Sequence, residues 1–314
     1  MCPCDSCRLW FNQGYRFRKI AELHSVTKAS EQLFLTQPAV SIQLKNFQAQ
    51  FKLPLFEVVG RKLYITEFGE EISETAFEVL EQVKNIKYKS AIFEGKIAGK
   101  LNISIVSTAK YTMPYFLSDF IKANEMVSLT MDVTNKTTVL RSLENNECDF
   151  AMVSTIPKKL NISRIELMKN KLYFVANRNF NPSKQKIILK NLNKSLFIFR
   201  EPGSATRLAM EQYLVKNKIV VQKKMELTSN EAIKQAIIAG LGISIMPIIG
   251  IQNELQNGDL QIIEMKDFPL ETNWNLIWLK SKNLSLVAKA FKKHLEEHKD
   301  QIIEQHFTWF KNIE

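Results

Sequence analysis

Side chains able to do chemistry are scarce in this sequence. Its four histidines are His24, His294, His298 and His306. His294 and His298 stand four apart on a C-terminal helical pattern, a spacing that can hold a metal ion. Lys and Glu surround them and no third ligand is evident, so a solvated helix face is the better reading. Cys2, Cys4 and Cys7 crowd the first seven residues as C-x-C-x-x-C, and the fourth cysteine, Cys148, sits far away in an apolar stretch. A zinc site usually needs four ligands, so no metal is expected, and so few cysteines fit a reducing cytoplasm. The sequence lacks a G-x-x-x-x-G-K-S/T loop, a G-x-S-x-G elbow and an H-E-x-x-H helix. Neither catalysis nor a cofactor is expected from these residues.

Hydrogen-bonding groups on helix faces remain. Thr27 is placed as the N-cap of a short helix with Ala29 and Leu33 inward. Phe34 and Leu35 leave room only for a tight turn. Thr36 caps a second helix with Gln37 first and Pro38 in the first turn, where a missing amide costs nothing. Val40, Leu44, Phe47 and Phe51 recur at four, three and four, one buried stripe. The opposite face carries Gln37, Ser41, Ile42 and Lys45, with no acid. Two short helices around such a turn predict a helix-turn-helix, whose second helix enters the DNA major groove N-terminus first. Gln37 offers the donor and acceptor that a bidentate contact to adenine requires, and Thr36 and Ser41 suit bases or phosphates.

Alternation on both sides of Gly60-Arg61-Lys62 predicts a hairpin beside these helices, a wing whose Arg61 and Lys62 can reach a phosphate or a minor groove. Residues 1–66 hold nine Lys or Arg against four Asp or Glu, a net of +5 within a chain of net +11. That surplus points to an anionic partner, double-stranded DNA first.

From Thr66 to about Glu94 one long helical pattern follows. Ile72, Ala76, Val79, Val83, Ile86, Ser90 and Phe93 alternate at four and three, a heptad seam that predicts pairing with a second copy. A dimer presents two half-sites, so the DNA target should be roughly palindromic.

Beyond Lys100, β-like runs alternate with helices: 101–107, 127–133, 149–154, 172–177, 196–201, 242–247 and 274–280. This order predicts an α/β domain with a largely parallel sheet. Helix starts are marked at Pro114, Thr137-Thr138, Ser204-Ala205-Thr206 and Ser229-Asn230-Glu231. Ligands of open α/β sheets bind beyond the carboxyl ends of strands, near helix N-termini. Ser107, Thr108, Lys110, Asn135, Ser204, Thr206, Arg207, Thr228 and Ser229 stand at such places and make an anion-binding cleft. Each also has a plainer reading as a helix cap, a turn residue or solvated surface.

The chain's 314 residues, 45% apolar and 24% charged, suffice for two or three globular domains. No apolar run reaches the length of a membrane span, and no secretory leader is visible at the N-terminus. A cytoplasmic protein with no membrane partner is expected.

Thr27-Lys28-Ala29-Ser30-Glu31-Gln32-Leu33, Thr36-Gln37-Pro38-Ala39-Val40-Ser41 and Pro54-Leu55-Phe56-Glu57 resemble, in that order, the N-terminal domain of LysR-type transcriptional regulators. The resemblance covers about Phe17 to Gly69. Gly99 to about His298 resembles their effector domain, which is similar to periplasmic binding proteins. Ser107-Thr108-Ala109-Lys110-Tyr111, Asn135-Lys136, the run from Arg200 to Arg207 and Ala239-Gly240-Leu241-Gly242-Ile243 are most similar to the branch that regulates carbon-dioxide-fixation (RuBisCO) operons. The resemblance implies a winged helix-turn-helix at 1–66 and a linker and dimerisation helix at 67–96. It implies an α/β effector-binding domain at 97–314 made of two Rossmann-like subdomains, about 100–161 with 266–300, and about 162–265. It also implies a homodimer or homotetramer, a small effector, anionic or phosphorylated, RNA polymerase as a partner, and DNA contacts from Gln37, Pro38, Ser41 and Arg61. Three positions depart from the pattern. Ile42 stands where many members carry Arg, His24 where a small Gly is common, and Gly14 where an apolar residue is usual. An α/β enzyme and a solute-binding protein are the competing readings, and the second leaves residues 1–95 without a task.

Overall fold

The computed structural model describes residues 5–60, 62–180, 192 and 195–311. They form two compact units, Met1–Gly95 and Lys96–Glu314.

The first unit opens with three helices, α1 (Asp5–Leu23), α2 (Val26–Gln32) and α3 (Gln37–Gln48). A two-stranded hairpin follows, β1 (Phe56–Val59) antiparallel to β2 (Lys62–Ile65), and then α4 (Glu67–Phe93). The stripe predicted on α3 is the core: Val40, Leu44 and Phe47 are buried with Phe17, Ile20, Ala29 and Leu55. Phe47 is its aromatic centre, with ring centroids 5.3 Å from Phe17 and 5.2 Å from Phe51. Thr36 caps α3 by accepting from the Ala39 amide at 3.4 Å. The cap of α2 is Ser25, not Thr27. Ser25 has the extended backbone a cap needs (φ −158°, ψ 122°) and accepts from Lys28 N, while Thr27 already lies inside the helix. His24 adopts φ +46°, a left-handed conformation that glycine takes more readily.

Thr66 joins the hairpin to the long helix. Its hydroxyl accepts from Gly69 N at 3.0 Å and donates to the Pro54 carbonyl at 2.6 Å. Gly69 has to be glycine, since a Cβ there would lie 2.0 Å from the Leu55 carbonyl oxygen. The heptad stripe divides in two. Its first part packs on its own unit: a Cβ at Gly14 of α1 would sit 3.5 Å from that of Ala76, Arg18 donates to Ser73, and its guanidinium lies 5.1 Å over Phe77. Further along, Ile86 is 66% and Phe93 95% exposed.

The second unit begins with β3 (Gly99–Val106), α5 (Met113–Ala123), β4 (Val127–Thr134), α6 (Lys136–Glu144) and β5 (Phe150–Val153). A sixteen-residue strand, β6 (Ile162–Asn177), leads to β7 (Leu196–Arg200), α7 (Ala205–Lys216), β8 (Lys223–Leu227), α8 (Asn230–Ile238) and β9 (Ser244–Pro247). The chain closes with α9 (Gln252–Gln256), β10 (Leu260–Ile263), β11 (Leu270–Leu279) and α10 (Leu286–Lys311).

Two long strands shared between subdomains organise this unit. In the first subdomain β3 pairs in parallel with β4 and β5, and β5 pairs with the end of β11. In the second, the end of β6 pairs with β9 and β10, and β7 pairs in parallel with β8. Ile243, just before β9, bridges to Phe197 of β7 and closes that second sheet. β6 and β11 run antiparallel through both halves, and their register shifts between Trp274 and Asn275. Helix α10 buries Val287, Ala288, Phe291 and Leu295 in the core of the first subdomain, with Phe291 5.2 Å from Phe120.

The expected run 172–177 is only the end of β6, and β8 and β10 are additional strands. Three of the five residues of β8 are charged, Lys223, Lys224 and Glu226, which hides it from a search for apolar runs. Helix α6 starts at Lys136, capped by Asn135, rather than at Thr137-Thr138. Among the described residues no helix is long and apolar enough to cross a membrane.

Candidate DNA interface and effector cleft

The start of α3 and the hairpin frame one groove in the first unit. It encloses about 800 Å³ and is lined by Thr27, Gln37, Val58, Lys62 and Tyr64, among others. Thr36, Gln37, Pro38, Ile42 and Lys45 are all exposed, and Ser41 is half-buried on the same helix. Arg61 lies outside the described residues. The α3 N-terminus therefore presents hydrogen-bonding groups outward, with Phe34, 95% exposed, in the turn before it. Such a helix end suits base edges and phosphates at once.

In the second unit three helix N-termini stand at strand ends. Asn135 caps α6 after β4, Ser204 caps α7 after β7, and Ser229 caps α8 after β8. Each side-chain oxygen accepts a backbone amide, from Thr138 at 3.0 Å, Arg207 at 3.4 Å and Ala232 at 3.0 Å. The α6 and α7 ends meet across a cavity of about 450 Å³ lined by Lys136, Thr137, Gly203, Ser204 and Arg207, among others. Gly203 has φ +87°, and a Cβ there would come 2.7 Å from the Thr137 hydroxyl. Only glycine allows so close an approach of the subdomains at that point.

The charge that spans the cleft belongs to Arg200, at the end of β7. It is 3% exposed. Its Nη2 donates to the Ser107 hydroxyl at 2.9 Å, from the second subdomain to the first. Its Nη1 donates to Asn230 Oδ1 at 2.5 Å, and Nε and Nη2 grip the two Glu201 oxygens at 2.7 and 2.8 Å. Arg207 points elsewhere: it pairs with Glu211 and Glu226 and donates to the Arg200 carbonyl. Thr108 and Thr206 are buried and Thr228 is exposed. Lys110 lies with its ammonium 5.0 Å over the Tyr111 ring.

Two family models match the chain. One is the LysR substrate binding domain, over residues 94–300, and the other the bacterial regulatory helix-turn-helix protein of the lysR family, over 11–70. The chain belongs to the LysR family. A relative of this LysR protein is the HTH-type transcriptional activator CmpR of Synechocystis, 36% identical over 287 residues, 91% of this chain and 94% of the relative. The RuBisCO operon transcriptional regulator of Acidithiobacillus ferrooxidans is 32% identical, over 89% of this chain and 91% of its own. Among solved structures, the Synechocystis CcmR regulatory domain in complex with 2-PG (2-phosphoglycolate) is 31% identical. It covers 67% of this chain and 98% of that one at a TM-score of 0.58. The protein is thus a LysR-type transcriptional regulator with an effector-binding domain, most similar to the RuBisCO-operon branch.

Burial acts on several polar groups inside the LysR effector domain. Burial lowers the Lys136 ammonium below its ordinary pKa, a cost that a bound negative charge offsets. Burial also works to lower Lys234, but hydrogen bonds to Glu254 and Glu231 outweigh it and hold the group charged. Burial raises the Tyr111 phenol, so it stays a neutral donor. The hydroxyl of Tyr111 and the Nδ2 of Asn230 are buried with no hydrogen-bond partner. Arg200, Asn230 and Tyr111 lie within the runs quoted from the sequence but not among the effector residues expected from it. An Arg closing the apolar run Leu196-Phe197-Ile198-Phe199 was the available signal, since a charge inside such a strand has to be paired.

Proposed function

We propose that this LysR regulator binds a roughly palindromic operator as a dimer or tetramer. A small oxyanion, a phosphorylated metabolite, closes the cleft between its subdomains. The observation that carries this reading is Arg200, a buried guanidinium that bridges the two subdomains by donating to Ser107 of the first and Asn230 of the second. A phosphorylated ligand is supported by the relative bound to 2-PG.

The DNA contacts are assigned to Thr27, Thr36, Gln37, Pro38, Ser41, Ile42, Lys45, Arg61 and Lys62. Ile42, 57% exposed, replaces a basic contact with an apolar one suited to a thymine methyl. The exposed second half of the α4 stripe is the dimer seam. The effector is held by Ser107, Asn135, Ser204 and Ser229, with Arg200 and Asn230 added. Arg207 acts within its own subdomain. The subdomains are taken as about 100–161 with 266–300, and about 162–265. Ligand shifts the balance between cleft states, and that shift is what reaches the DNA. The protein works in the cytoplasm beside RNA polymerase and carries out no reaction.

Thermal-shift titration with 2-phosphoglycolate tests the cleft. The melting temperature of the wild type should rise with dose. Ser107→Ala should weaken the rise while DNA binding without ligand persists. A dose-dependent rise that is identical in Ser107→Ala refutes this location of the site.

A further inference from the structure

The cleft contains a carboxylate that comes from the chain itself. Glu201 follows Arg200 directly and takes its guanidinium through two parallel bonds, at 2.7 and 2.8 Å. This fork-on-fork geometry is the one by which arginine captures an external carboxylate or phosphate. Around it the polar inventory is unbalanced. Asn230 is 2% exposed, accepts from Arg200 through its Oδ1, and has no acceptor for its Nδ2. The Tyr111 hydroxyl is likewise buried without a partner. Buried donors without acceptors are expensive and rare in native folds. Here two of them accompany a guanidinium whose acid is its own sequence neighbour.

We propose that Glu201 is an internal surrogate for the ligand's acidic group. It holds Arg200 until the effector's oxyanion replaces it. The exchange selects the chemistry of the ligand. An incoming carboxylate has two oxygens and returns to Arg200 only what Glu201 already provides. A phosphomonoester brings three terminal oxygens and close to two charges, so it can take the guanidinium and also serve Asn230 Nδ2 and the Tyr111 hydroxyl. Glu201 thereby sets a threshold that monocarboxylates do not pass. This inference rests on the cleft being the effector site.

The test compares wild type, Glu201→Gln and Glu226→Gln by calorimetric titration with 2-phosphoglycolate and with glycolate. Glu226 pairs with Arg207 and does not touch Arg200, so its variant controls for a general loss of negative charge. Glu201→Gln should bind phosphoglycolate at least about tenfold more tightly and should gain measurable glycolate binding, while Glu226→Gln changes less than about twofold. Should Glu201→Gln be unstable, its melting temperature carries the same information. Phosphoglycolate should then raise it by more than it raises that of the wild type. Equal affinities, or equal gains in the two variants, overturn the surrogate role and leave the cleft as the effector site. No binding of phosphoglycolate by any of the three proteins overturns both.

Discussion

Replacing Gln37 with alanine separates base reading from everything else the first unit does. Gln37 is exposed, and it neither caps α3 nor joins the buried stripe. The cap belongs to Thr36 and the core to Val40, Leu44 and Phe47, so Gln37→Ala should leave the melting temperature nearly unchanged, by the ordinary tolerance of surface sites. Its effect should fall on one kind of DNA. A bidentate base contact discriminates by about 1–3 kcal/mol, which is about 5- to 150-fold per half-site. In a dimer that contacts two half-sites the losses compound. The assay is fluorescence anisotropy at fixed salt, with a duplex selected from a random library and a scrambled duplex of equal length. Binding to the selected duplex should fall by at least about fivefold, while binding to the scrambled one stays within about twofold. An equal loss on both duplexes would falsify base reading by this helix end and leave Gln37 a backbone contact.

Lys62→Ala should weaken both duplexes alike and flatten the salt dependence by about one counterion. Ile86→Glu places a charge on the open part of the α4 stripe, and sedimentation should show a smaller assembly; an unchanged sedimentation coefficient argues against that seam. Arg207→Ala removes the partner of Glu211, Glu226 and the Arg200 carbonyl, and should cost about 1 kcal/mol of stability while phosphoglycolate affinity stays within about twofold of wild type. Burial pushes the Cys148 thiol up to about 11, so at pH 8 it is a neutral thiol. Peptide mapping after alkylation should find it unmodified in native protein and modified after denaturation.

The first unit was the more legible of the two because its signals are local. A cap, a Pro in the first turn and a stripe at helical spacing each depend on a few neighbouring residues. Even there the α2 cap was misplaced by two positions, since Ser25 and Thr27 are both good caps and only the backbone distinguishes them. In the second unit the helix starts at Ser204 and Ser229 were readable for the same local reason. The charged strand β8 and the first half of β6 were not, because their pairing is decided by distant partners. The site itself divided along that line. Ser204 and Ser229 are readable as helix caps from their own neighbours, and Arg207 stands out because it follows a helix start. Arg200 does not stand out, because its partner Ser107 is ninety-three residues away in sequence.

The shared strands constrain how this protein can respond. Because β6 and β11 are continuous through both subdomains, relative rotation has no slack loop in which to dissipate along them and has to be taken up as twist. The weakest place to take it up is already marked. The register slips at Trp274/Asn275, and the Trp274 indole nitrogen and the side-chain oxygens of Asn170 and Asn275 are buried there without partners. A ribbon with incomplete bonding at its midpoint behaves as a torsion spring rather than a door hinge. Its restoring force would set how much of a ligand's binding energy is spent on rotation and how much is left to hold the ligand.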